Sequence, residues 1–554
     1  MRRPRSVVAI LIGLGVLAPP PGFAQADEHA ACTSAGWVPR EILDRPVPLR
    51  PGVGNARETV TTSSKEAQAF YDQGLNYLHG YVWIEAARSF TQALRHDPRL
   101  AMAHVGLSRV YSGLDAPDEA RAALARAEAL APEASPRERR RLELRARQLE
   151  AMADLADGAR HAAYKKAIDD ALAADVEDVE LWLVRGNAEE ATAAGRGQRG
   201  GAASTAFYLA ALRLSPDHSA AHHYLTHSYE TIGQIARALE HGEAYARLAA
   251  AIPHAHHMWG HDLRRVGRVD EAIAAFRRTD ELEKAYYAAE RIDPGYDWHH
   301  VHNLDLLAGS YQHKGQMRLA EATMREAAAL PPVTDRLAFD QKALAAFLVE
   351  RGRLEEALAD ARVLAGSRWP AARAVGRALA GEALLGLGRR EEAERELAGA
   401  AAELGQVPAS VAGISVARGQ VKPYVDVLEG KLMLGSGQAP AGRAILQDVQ
   451  RALRAIPGPD AWMMALFRLE SIARAAREAG DWELADFTAR QMLDHDPAYG
   501  GSHLAAALVA GHRGDAAGAE AALAAAARFW RDADPDLRER RLLPKEARAS
   551  ATRR

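Results

Sequence analysis

Residues 67–98 read AQAFYDQGLNYLHGYVWIEAARSFTQALRHDP. The first half carries Phe70, Gly74 and Tyr77 on one face, and the second carries Ala86 or Ala87 and Phe90, with Pro98 at the end. Residues recurring three and four apart mark helices rather than strands. The stretch is therefore a helical hairpin, with helix A ending near Gly80 and helix B running to about Arg95. The small residues let the two helices approach, and the large ones fill the gap and the groove of the next unit. One hairpin cannot bury its apolar face alone, so it must stack on others.

The pattern recurs along the chain. Residues 99–132 repeat it on a looser phase with Gly106, Tyr111 and Ala120. Pro253 opens a clear copy with Gly260, Gly267, Ala272 and Phe276, and residues 301–332 carry Leu307, Ala308, Tyr311, Gly315 and Ala320. Further helix pairs are read at 339–366, 371–404, 423–456, 462–497 and 500–530, with Gly352, Gly388, Gly437, Gly480 and Gly514 at their turns. Glycine accepts the positive φ that such a turn needs at no steric cost. The order large residue, Gly, Tyr, Ala, Phe, Pro over ~34 residues resembles the tetratricopeptide repeat (TPR). The resemblance implies an all-α, right-handed superhelical solenoid whose A helices line a concave groove. No stretch alternates with period two for long, so no sheet is expected. The array reads as residues 67–332, followed by TPR-like helical repeats over 333–535. An extended segment, 27–66, precedes it and a basic tail, 536–554, follows. Two stretches interrupt it: the Gly/Arg loop AGRGQRGGA (194–202) and an insertion over 287–299.

At the amino terminus, Arg2, Arg3 and Arg5 precede an apolar run from Val7 to Ala18; Pro19 to Pro21 break it, and Ala24-Gln25-Ala26 offers an A-x-A cleavage site. This is the layout of a secretory signal peptide over residues 1–26, and the run is too short to span a bilayer. Cleavage after Ala26 and a periplasmic or secreted location are expected, with no transmembrane segment. A formal charge of −3 over 554 residues argues against a nucleic-acid binder. Cys32 is the only cysteine, so no internal disulfide is expected. The chain shows no Ser/His/Asp order, no phosphate loop after a strand, no C-x-x-C and no haem motif.

Thirteen of the 21 histidines lie between His218 and His313, where even spacing would put about four. Counting back from the turn glycines Gly233 and Gly267 puts His223 and His257 at one phase of helix A, and His227 and His261 at the next. Each pair is i,i+4, one turn apart on one helix face, the spacing that chelates a metal ion in zinc-binding helices. In TPR proteins these phases tend to face the groove, as do those of Glu230, His254, Arg264, Arg265, His302, Asp305 and His313. Adjacent A helices pack roughly 8–10 Å apart, so imidazoles from neighbours can converge. His222 and His256 sit at a packing phase and read as core histidines with a satisfied nitrogen; His241 reads as solvated. His299 and His300 precede their A helix, within reach of the site.

HHYLTHSYE (222–230), PHAHHMWGHDLRRVGR (253–268), HNLDLLAGSYQHKGQ (302–316) and the stretch VTTSSKEAQAFYDQGLNYLHGYVWIEAARSFTQAL (60–94) together resemble an exported bacterial TPR subfamily. Its members pair an H-Y-x-x-H-x-x-E helix with an H-M-x-x-H helix and a later H-N helix. Two readings follow. In the first, His223, His227, His257, His261 and His302 bind a transition metal ion, for which imidazoles with one or two carboxylates suit Zn, Cu, Fe or Mn. Glu230 is then a ligand or a catalytic base. Asp305 and His254 support the ligands, and Arg264 and Arg265 hold an anionic substrate group. In the second, the protein is a non-enzymatic scaffold whose groove binds a peptide or partner protein.

Overall fold

The computed structural model describes residues 34–154, 156–190, 197–409, 416–456 and 459–544. The signal-peptide segment, Cys32, part of the Gly/Arg loop and the end of the basic tail lie outside the described residues. A two-residue antiparallel pair, β1 (Ser34–Ala35) and β2 (Val38–Pro39), and one helical turn, α1 (Arg40–Leu43), come first. This two-residue pair is the only strand pairing among the described residues, and the remaining elements are helices. Seven hairpins follow: α2 (Lys65–His79) with α3 (Trp83–His96), α4 (Ala101–Gly113) with α5 (Pro117–Ala129), α6 (Pro136–Ala153) with α7 (Gly158–Ala174), α8 (Val179–Asn187) with α9 (Ala202–Leu214), α10 (Ser219–Thr231) with α11 (Ile235–Leu248), α12 (Pro253–Arg265) with α13 (Val269–Glu290), and α14 (Trp298–His313) with α15 (Met317–Ala329). The second half has α16 (Asp335–Asp340) and α17 (Lys342–Glu350) against α18 (Leu354–Ala365), then α19 (Pro370–Gly386) with α20 (Arg390–Gln406), α21 (Arg418–Leu434) with α22 (Ala439–Ala455), α23 (Pro459–Glu478) with α24 (Trp482–His495), and α25 (Gly500–His512) with α26 (Ala516–Phe529). The protein is an all-α repeat solenoid.

The first hairpin shows why the repeat pattern works. Phe90, fully buried on α3, lies between Gly74 of its own A helix and Gly106 of the next; a Cβ on either glycine would come within 2.8 and 2.5 Å of the ring. Overpacking of that kind costs about 1–3 kcal/mol. At the turns, Gly233, Gly267, Gly315, Gly352, Gly388, Gly480 and Gly514 take positive φ, as expected, but Gly437 does not. In the first hairpin Gly80 has φ −87°, and Tyr81 takes the left-handed place with φ 58°.

Three further departures have local causes. The insertion over 287–299 is mostly helix: α13 runs 22 residues to Glu290, a 3-10 turn follows at Pro294–Tyr296, and α14 already starts at Trp298. His299 and His300 therefore stand inside the first turn of α14 rather than ahead of it. Pro423, read as a helix start, lies within α21, where it removes one backbone donor. The front of the basic tail docks: Leu537 and Leu543 are buried, Arg538 donates to the Glu350 carbonyl and Arg351 pairs with Glu539.

Two closures position the site. Residues 45–60 form a strap along α2, read by amide side chains. Gln73 bonds the backbone of Pro48 and Arg50, Asn76 bonds both backbone groups of Ala56 at 2.9 Å, and Gln68 bonds Glu58 and Val60. The strap also reaches the fifth and sixth hairpins: Gly52 accepts from Ala251 N, Asn55 bonds Asp217 and Ser219, and Arg50, together with Arg88 of α3, pairs with Glu290. The first arc is thus tied back upon itself. From the other side, the last hairpins return onto α12 and α14. Arg264 donates to Asp496, Trp530 Nε1 donates to the His313 carbonyl, and Asp534 N donates to the Gly315 carbonyl. The expected open groove is a closed interior at α10, α12 and α14, because both arcs fold in over it.

Candidate metal centre

Three A helices supply a continuous row of imidazoles: His223 and His227 from α10, His254, His257 and His261 from α12, and His299 and His302 from α14. Three overlapping triads have ligand atoms within 4.8 Å of one another: His223/His227/His254, His254/His257/His299 and His257/His261/His302. His223 and His257 are fully buried, His254, His261 and His299 nearly so, and His227 and His302 are half-buried.

Their hydrogen bonds fix which nitrogens carry protons. His223 Nδ1 faces the His79 carbonyl at 2.7 Å, so it is the protonated nitrogen and Nε2 is a bare lone pair. Asn303 uses its Nδ2 to donate to the Phe276 carbonyl, which turns its Oδ1 toward His257 Nδ1 at 3.0 Å; His257 is therefore also the Nδ1–H form. His299 Nδ1 donates to the carboxylate of Glu283, and His300 donates to the other oxygen. Three Nε2 lone pairs then point into the row. Two of them meet His254, from His299 at 2.9 Å and from His223 at 3.1 Å, and the third meets His261 Nε2 at 2.9 Å. A neutral His254 has one N–H, so it can satisfy only one of its two neighbours. His227 Nε2 is buried with no hydrogen-bond partner.

Protonation is opposed at five of the seven imidazoles. Burial, then the neighbouring imidazoles, push His223, His254 and His257 well below the usual histidine range; burial and then Arg336 do the same for His302. His227 is held at about 4, mainly by burial. Glu283 is buried too, which alone would raise it, but His299 and His300 bring it down to about 2. The imidazoles of the row are oriented from behind by a carbonyl, an amide and a carboxylate, as metal-ligating histidines are.

Glu230 is buried at one flank, with Oε1 3.5 Å from His261 Nδ1 and Oε2 3.8 Å from His227 Nδ1. Asp262 is fully buried beside it; burial first, then Glu230, push its carboxyl well above the usual range. Such a pair carries one charge rather than two.

Of the residues expected from the sequence, His223, His227, His254, His257, His261, His302 and Glu230 come together. Asp305 lies farther along α14 and lines a small cavity with Gln312 and Glu350. Arg264 is buried and donates to Asp496, which also meets His313 at 3.2 Å, and the guanidiniums of Arg264 and Arg265 both lie over the Trp462 ring. His222 and His256 do bond backbone carbonyls, of Pro216 and Ala250, while His241 is half-buried against Tyr229 rather than solvated. Sequence reasoning missed His79, Tyr81, Asp262 and Glu283. The Tyr81 ring stands 4.7 Å from that of His223 and 5.1 Å from that of His254. Its signal was a bulky residue where later repeats place a turn glycine.

No protein-family model and no curated protein matches the chain. Among solved structures, yeast Tom70 is similar at 11% identity over 78% of this chain and 92% of that one, with a TM-score of 0.35. The Cut9–Hcn1 hetero-tetramer of the APC/C is similar at 12% identity over 87% and 96%, with a TM-score of 0.30. The human IFIT1 dimer with PPP-AAAA is similar at 12% identity over 84% and 91%, with a TM-score of 0.34.

Proposed function

We propose that this is an exported transition-metal-binding repeat protein whose metal centre is the buried histidine row. One observation carries the reading: three oriented Nε2 lone pairs converge on His254 and His261 in an interior that opposes protonation. A buried polar atom left without a partner costs about 1–3 kcal/mol, and a cation supplies what the row lacks. All-imidazole sites suit Zn, Cu, Fe or Mn. The first and third triads share no member, so His223, His227 and His254 could hold one ion and His257, His261 and His302 another. Export rests on the layout of residues 1–26 and on the resemblance to the exported subfamily.

A bound ion of this kind supplies Lewis acidity or redox chemistry. Glu230, beside His227 and His261 and sharing charge with Asp262, is the group placed to hold a proton next to it. This is the catalytic part of the proposal. The scaffold reading has less support, because the strap of residues 45–60 already lies along α2 and reaches α10.

The test is metal analysis of protein purified without a His-tag, beside a His257→Ala/His261→Ala variant. The expected result is about one to two equivalents in the wild type and a loss of about half or more in the variant. Less than about a tenth of an equivalent of any transition metal, after loading, overturns the proposal.

A further inference from the structure

A cavity opens behind Tyr81, on the side away from the histidine row. Its volume is about 100 Å³, below the ~300–1000 Å³ of drug-sized sites, so only a small molecule fits. Its apolar lining includes Leu78, Phe90, Met102 and Leu144. Three guanidiniums also line it: Arg109 from α4, and Arg141 and Arg145 one turn apart on α6.

The acids of the cavity are already engaged. Glu58 accepts from Arg141 Nε at 3.0 Å and from the Tyr71 hydroxyl at 2.6 Å, and Asp178, just outside, accepts from Arg141 Nη2 at 2.6 Å. Glu180 lies 3.1 Å from His79 Nε2. Arg145 is fixed by the hydroxyl and carbonyl of Ser108. Arg141 is only 8% exposed, yet its Nη1 is buried with no hydrogen-bond partner. Arg109 stands half-buried beside it. A buried cationic N–H without an acceptor is costly, and a guanidinium fork matches a carboxylate.

We infer that this cavity binds a small organic carboxylate, its acid group on Arg109 and Arg141 Nη1 and its apolar body against Leu78, Phe90, Met102 and Leu144. The site goes beyond the metal reading and does not depend on it. The two adjoin: Tyr81 lines the cavity and also packs on His223 and His254. The backbone supports a role for that ring, since a non-glycine residue in the left-handed region persists where its surroundings require it.

Calorimetric titration of the full chain, metal-free and metal-loaded, with phenylacetate and its neutral analogue phenylacetamide tests the inference. Phenylacetate is expected to bind at one equivalent in both forms, at least about tenfold tighter than the amide. Arg109→Gln is expected to weaken the acid at least about tenfold and leave the amide unchanged, with Arg109→Lys recovering part of the loss. Met102→Trp fills the apolar wall and is expected to abolish binding; Leu144→Phe is the milder form should that chain fail to fold. Absence of binding, equal affinity for acid and amide, or an Arg109→Gln protein that binds as well as wild type overturns the site. Binding to metal-free protein upholds it even if metal analysis fails.

Discussion

Two of the buried polar clusters in this solenoid are built on opposite plans. In the C-terminal half, Glu382 of α19 accepts from Arg468 at one oxygen and from Lys431 at the other; Lys431 also donates to Ser471, and the Arg468 guanidinium lies over the Tyr424 ring. Burial would raise the Glu382 carboxyl, but the two cations hold it at about 2. Each charge there faces an opposite one, and only Arg468 Nη1 is left over. In the histidine row the carbonyl, amide and carboxylate behind the rings are satisfied, and the middle is not, because lone pair faces lone pair across His254. The first cluster is finished within the chain, as structural polar networks are. The second is finished only by something from outside.

The largest effect expected separates the two directly. Glu382→Leu leaves two buried cations uncompensated, which costs about 3–5 kcal/mol, and the loss should be the same with or without metal. His254→Gln should cost less than about 1 kcal/mol in chelated protein, or stabilise it, since the amide offers two N–H donors to His223 and His299. The same variant should lose metal. Denaturant unfolding of both proteins in chelator checks this. If His254→Gln costs as much as Glu382→Leu, the row is a packing element and the contrast fails.

The sequence disclosed the repeat and one face of the site, and the reason is the same for both. Gly74, Phe90 and Gly106 obey a local period, and so do His223, His227, His257 and His261, because one A helix and its neighbour fix where they point. Two hairpins, α6–α7 and α8–α9, were hidden. α6 reads PRERRRLELRARQLEAMA, with charge on nearly every face, since its arginines turn inward to Glu58, Asp178 and Ser108. Nothing local announced the closures. His79 reaches His223 from 144 residues away, and Asp496 reaches Arg264 from 232. A groove phase was therefore read without the arcs that cover it, and Arg264 without its partner Asp496. Glu283 was missed because it stands on the second helix of its hairpin, α13, and only A-helix phases were read as facing the groove.

Glu350 gives a smaller effect and a third plan: a buried carboxyl with neither a finished ion pair nor a row of bases. It accepts from Gln312 at 2.9 Å, and burial, then the carboxyl of Glu470, raise it from 4.5 to about 7. The folded value lies above the unfolded one, so its contribution is fully present below pH 4.5 and is lost as pH rises through about 7. The loss is up to about 3 kcal/mol. Glu350→Gln should flatten the fall in stability over that window while leaving the acid limb unchanged, as urea midpoints against pH will show. An unchanged slope would place Glu350 with the finished cluster instead.

The smallest effect concerns what keeps the row closed. Near Glu382, the turn between α19 and α20 is made by Gly388 at φ 76°, with nothing within 4 Å of where a side chain would start. Beside the row, the corresponding turn carries Tyr81 at φ 58°, its ring against His223, His227 and His254. The left-handed conformation costs a non-glycine residue about 1–2 kcal/mol, and emptying a buried aromatic site costs about 3–5 kcal/mol. Tyr81→Gly relieves the first and incurs the second, so a net loss of about 2 kcal/mol is expected by thermal and denaturant unfolding. Gly388→Ala incurs only the backbone cost, about 1 kcal/mol. Should Tyr81→Gly be more stable than wild type, the ring contributes nothing to closing the interior, and the strain at that turn needs another explanation than the row it covers.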